Sequence, residues 1–146
     1  MLTVELATEL LSAGLLWEPA PGDRFIVAER DMDDQVFVLS DMTIEVHEFP
    51  KGREIGFNGV TEWALDSVEM TDVLWLPREE QLRAALGDRF RSLWLDQGEW
   101  VVAIEIGGVD PQPSSHTDTD AECAYARAVL HMLHSDSGSE DAPDPL

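Results

Sequence analysis

The chain has 146 residues, of which 44% are hydrophobic, and its 30 acidic against 9 basic side chains leave a net charge of −21. At that size one domain hides roughly two thirds of the surface its open chain exposes, so a single core suffices. So negative a chain repels DNA, RNA and anionic lipid, which argues against direct nucleic-acid binding, and no apolar run approaches the ~18 residues of a membrane span.

The acidity belongs to the folded part. The closing stretch "SDSGSEDAPDPL" holds four carboxylates, Asp136, Glu140, Asp141 and Asp144, and −21 less these four still leaves −17. One cysteine, Cys123, cannot make an internal disulfide, and "MLTVELATELLSAGLLW" lacks the positive n-region of a signal peptide, so a cytoplasmic location is expected.

In chain order, Leu2, Leu6, Leu10 and Val4, Ala7, Leu11 recur at helical spacing, with Thr3 as N-cap and Gly14 as terminator. "WEPAPGDR" then breaks regular structure. Strand-like runs follow at 24–29, 35–40, 43–49 and 53–58, joined by short turns rich in Asp or Gly, so consecutive strands should pair as antiparallel hairpins. A short helix is expected over 61–68 and a buried strand in "DVLWL" before Pro77. Pro77, the acids Glu79 and Glu80 and the terminator Gly87 frame a second helix.

"FRSLWLDQGEWVVAIEIGG" reads as a hairpin about Gln97-Gly98, and a polar loop over 109–116 leads to the capping box Thr119-x-x-Glu122 and a last helix in which Tyr125, Val129 and Met132 share a face. Nothing from Ser135 onward is available to bury. The expected organisation is a single α+β domain over 1–134 and a disordered acidic tail over 135–146. In it a meander-like antiparallel sheet of about five to seven strands is packed by the N- and C-terminal helices.

Several chemistries fail on spacing. From Asp31, an EF-hand type loop would need Gly at Val36 and Glu at Met42. Asp31, Asp33 and Asp34 therefore read first as a wet turn before a strand and second as a cation site of another type should Asp41 or Glu48 come close, and they also stand as acids available to a partner. His131 and His134 stand at i, i+3, but zinc wants three or four ligands and Cys123 lies two turns away, so the two imidazoles are expected to cap the helix C-terminus. No nucleophile elbow, P-loop or Rossmann fingerprint is present, and Cys123 within a helix reads as a small buried hydrophobe. No catalytic, cofactor-binding or metal-ligating residue is assigned. Trp75, Trp94 and Trp100 are placed in the interior. Trp17 and Trp63, beside turns, are the better candidates for an exposed partner anchor, although core is the more frequent fate of such residues.

The strings "LLWEPAPGDRF", "VFVLSDMTIEVHEF", "FNGVTEWALDSV", "LWLPREEQL" and "AYARAVLHML" together resemble a family of small actinobacterial proteins often labelled pilus assembly protein. That label implies a nucleotide-binding motif, which this chain lacks, and the resemblance carries no functional residue to any position. "AECAYARAVLHML" is also similar to the closing helix of small phage-encoded sandwich-type domains, in keeping with a helix laid on an antiparallel sheet.

These features point to a non-catalytic protein-binding or adaptor module for a basic partner, without cofactor. Two alternatives stand beside it: a small-ligand protein or enzyme using carboxylates, and a nucleic-acid mimic that occupies a basic DNA-binding protein. The strand runs can also leave a sheet edge free for pairing.

Overall fold

Thr3 opens the first helix, α1 (Val4–Ser12), because its hydroxyl accepts the Leu6 N–H at 3.2 Å and so satisfies one donor that the first turn leaves bare. The computed structural model describes the backbone of residues 1–27, 32–40, 45–49, 52–56, 67–69 and 72–140, and the side chains of 1–27, 35–40 and 72–138. Two compact units emerge, Leu16–Pro77 and the combination of Met1–Leu15 with Arg78–Leu146. The class is α+β, with three α-helices among the described residues.

The expected single sheet of five to seven strands is not what forms. Among the described residues nine strands divide into three antiparallel three-stranded sheets. The Leu16–Pro77 unit holds two of them. One has the order β2-β1-β6, built from β1 (Arg24–Val27), β2 (Met32–Val38) and β6 (Val73–Leu76). The other has the order β3-β4-β5, from β3 (Glu45–Phe49), β4 (Gly52–Gly56) and β5 (Ser67–Glu69). Ser67 and Val68, read as the end of a helix, thus lie in a strand, and the rest of that expected helix falls outside the described residues. Each sheet takes its third strand from a distant or neighbouring segment and stops there, with no ladder among the described residues joining one sheet to another.

The core of this unit joins Trp17, Phe25, Val27, Leu39 and Val73, with Phe37 and Trp75 packed against them. Trp17 and Trp75 lie nearly parallel at 6.5 Å, and Phe25 stands 5.6 Å from Trp17 and 5.5 Å from Phe37, within the range where aromatic pairs gain beyond their area. The Pro-rich break is fixed from inside. Asp23, 1% exposed, accepts the Trp17 indole N–H at 2.8 Å and the Ala20 N–H at 3.0 Å, while Leu39 donates to the Asp23 carbonyl at 2.9 Å. A buried carboxylate is tolerable on those terms.

The other unit is organised by α3 (Ala121–Glu140), which packs against α1, against α2 (Glu79–Leu86) and against two strands of the sheet β7-β8-β9. That sheet comprises β7 (Phe90–Asp96), β8 (Glu99–Ile106) and β9 (Gln112–Asp118). From Cys123 to Leu130 every α3 side chain except Arg127 is buried, as befits a helix covered on several sides. Ala124, Ala126 and Ala128 keep those contacts close.

Three differences from the sequence reading have local causes. The segment read as a loop over 109–116 is largely β9, because its serines, His116 and Thr117 need only pair with β8 and leave one side to water. Asp120 rather than Thr119 caps α3, its carboxylate accepting the Cys123 N–H at 3.2 Å. Finally, α3 runs to Glu140, beyond the expected end at 134. A helix already nucleated by burial gains one backbone bond per added residue, and the Arg89–Asp136 ion pair at 2.9 Å holds the extension.

Candidate functional site

The described carboxylates lie at or near the surface with one exception. Among the described residues Asp23 is the buried charged side chain, and its role is structural. Glu5 and Glu9 on α1, Glu80 on α2, Asp88 before β7, and Asp96 and Glu99 at the hairpin tip are all exposed. No group of three or more His, Cys, Asp or Glu among the described residues is placed to hold a metal ion, and no described helix is long and apolar enough to cross a membrane.

Of the residues singled out from sequence, Trp17 is 6% exposed and committed to the core through its stack and its bond to Asp23, so its surface belongs to the interior and not to a partner. Asp33 and Asp34 lie on β2, within a strand and not in a turn before one; their side chains fall outside the described set. Asp31 and Trp63 lie outside the described residues.

Two constellations that the sequence did not single out emerge in the helical unit. The first is the outer edge of β7. Trp94, expected inside, is 42% exposed, and Leu95 beside it is 57% exposed. Alternation explains Trp94: the register Leu93↔Val102 and Leu95↔Trp100 puts those residues on the face of His116, which meets His131 of α3, and turns Trp94 with Val101 to the other, while Leu95 is exposed on the α3 face because it adjoins the hairpin tip. The strand is held by a tight two-residue turn in which Gln97 and Gly98 have φ of 50° and 84°, the pair of positive values that a type I′ turn requires.

The second is a histidine pair between β9 and α3. His116 and His131 have ring centroids 5.0 Å apart, and His116 Nε2 shares a 2.8 Å hydrogen bond with the Ser114 hydroxyl two residues earlier on the same strand face. Burial first, then the neighbouring His131 and Arg127, push the His116 pKa down, so its imidazole is held neutral. Asp118, next on that face, is engaged: one oxygen accepts Arg127 Nε at 3.0 Å and the other the Asp120 N–H at 3.0 Å. His131 and His134 thus do not cap a helix end, since α3 continues past both. Alternation along "SSHTD" with helical spacing on α3 was the available signal, hidden because the strand was read as a loop.

Cys123 sits where the sequence placed it, buried within α3, and burial raises its thiol pKa. No protein-family model, curated protein or solved structure matches the chain.

Proposed function

We propose that the protein is a non-catalytic binding module that engages a basic protein partner through its acidic coat. The observation that supports this reading is the distribution of charge: a chain of −21 turns its described carboxylates outward, with Asp23 alone buried, instead of gathering them around a ligand. Such a field steers a cationic partner and disfavours anionic ones, with a contribution that salt screens over about 8–10 Å.

The test is capture from the native host across a salt series, followed by titration with the purified candidate partner. Binding should weaken steeply between 50 and 500 mM salt and should fall further in the charge-reversed variant Glu5→Lys with Glu9→Lys. Recovery of nothing at low salt, or an affinity indifferent to salt, contradicts the proposal.

The Ser114–His116 bond supports a second reading, a hydroxyl beside a neutral imidazole as in nucleophilic catalysis. Asp118, the next acid on that strand face, is occupied by Arg127 and a backbone donor, so the adaptor reading is preferred.

A further inference from the structure

The two edges of the sheet β7-β8-β9 are unlike. On β9 the edge carries Pro113, which has no N–H to offer a neighbour, and the polar run Ser114 to Asp118, features that blunt an edge. On β7 there is no proline and no lysine, and Trp94 and Leu95 are exposed beside a half-buried Leu93. No described strand pairs with its outer side. An edge of this kind is a template for another strand.

The sequence around it reads nearly the same in both directions. In an antiparallel pair centred on Trp94, Trp94 meets its own copy, and Leu93 meets Leu95 of the partner subunit. Ser92 meets Asp96 of the partner subunit, a hydroxyl opposite a carboxylate. The backbone agrees with that register. The I′ turn closes on the pair Asp96↔Glu99, so the hydrogen-bonding groups of Asp96, Trp94 and Ser92 point to β8, and those of Leu95 and Leu93 point outward. Leu93 and Leu95 would then exchange the new ladder bonds, and the two tryptophans would occupy the closer, non-hydrogen-bonded position.

We propose that two copies of the chain associate through β7 about a two-fold axis at Trp94, making one continuous six-stranded sheet. The occupant of this edge is a second copy, because the stretch complements itself apolar to apolar and donor to acceptor, and because it buries the exposed Trp94 and Leu95 together. Asp96 of the acidic coat takes part in this edge while Glu5, Glu9 and Glu80 lie on α1 and α2, and the inference does not rest on the proposed function.

Sedimentation of the purified full chain between 5 and 200 µM, in 0.5 M NaCl to screen the charge, should give a species of twice the 16.3 kDa chain mass. Leu95→Pro removes an outward N–H without touching the β7–β8 ladder and should sediment as a monomer with unchanged circular dichroism. If that variant fails to fold, Trp94→Lys serves the same purpose. Register is read by cross-linking: a mixture of Ser92→Cys and Asp96→Cys chains should oxidise to a disulfide dimer. Either variant alone should not, its thiols lying about 13 Å apart across the axis. A wild-type monomer at 200 µM, a dimer that survives both Leu95→Pro and Trp94→Lys, or no cross-link in a mixture that is dimeric, overturns the proposal. A basic extended segment as the true occupant of the edge would give the first of these outcomes.

Discussion

Replacing Asp23 by Ala should be strongly damaging to the Leu16–Pro77 unit. The side chain is 1% exposed and holds two donors, the Trp17 indole N–H at 2.8 Å and the Ala20 N–H at 3.0 Å. Truncation leaves both without an acceptor, at about 1–3 kcal/mol each for a buried group. Ala20 is itself exposed, so water can recover part of its share and the expected loss is about 2–4 kcal/mol. Asp23→Asn keeps one carbonyl oxygen able to accept from both donors and should cost about half as much. Urea titrations followed by tryptophan fluorescence read the effect directly, because Trp17 is one of the two partners. A cycle with Trp17→Phe should return a coupling of about 1–2 kcal/mol. A midpoint for Asp23→Ala that differs from wild type by less than about 0.5 kcal/mol would refute the reasoning, as would an Asn variant as unstable as the Ala variant.

The histidine pair predicts an acid-side loss of stability. Because the fold depresses the His116 pKa, the unfolded chain binds a proton that the folded chain refuses; stability is full above the unfolded value of about 6.5 and declines as pH falls toward the lower folded value. Melting temperatures from pH 8 to 5 should therefore fall less steeply in His116→Asn than in wild type, and equal slopes would remove His116 from the account. The thiol of Cys123, 2% exposed and raised in pKa by burial, should resist a disulfide reagent in native buffer and react at once in denaturant. At the hairpin, Gly98→Ala should cost about 1 kcal/mol because φ is +84°, whereas Gln97→Gly should be neutral or stabilise by a few tenths, both by thermal melts.

How much of this was legible follows from the range of the interactions concerned. The α+β class, both capped helices and the Gln97-Gly98 hairpin depend on neighbours within a few residues, and each has a local signature: Thr3 before its helix, Gly87 after Leu86, a glycine with positive φ in the turn. The division into three small sheets depends on which strand finds which partner across 50 residues, as when β1 pairs with β6, and no local pattern encodes that. β9 was hidden for a different reason. A strand with one polar face and a proline carries too few β-branched or apolar residues to look like one, and its identity comes from β8 beside it. Trp94 was misplaced by the same logic in reverse. An aromatic residue in a strand is usually core, but a tryptophan on the side of the sheet turned away from α3, on its outermost strand, has little to cover it.

That last position links the acidic coat to the exposed edge. A strand edge showing Leu-Trp-Leu invites any extended chain, and most proteins blunt such an edge with lysine, proline or a bulge. Here one irregularity lies at the start of β7, between Phe90 and Ser92, and leaves the register of the Leu93–Leu95 stretch regular. What remains to discriminate is charge: Asp88, Asp96 and Glu99 flank the stretch, while Arg91 is bound to Glu105 at 3.0 Å. Acidic segments are repelled over a Debye length, and a neutral or basic strand must still match the apolar spacing at its centre. A second copy meets the spacing condition by symmetry but pays the repulsion, so its association should strengthen with added salt. A basic partner held by the coat should respond in the opposite sense. The sign of the salt dependence therefore separates the two kinds of contact in a single titration series, without any substitution in the chain.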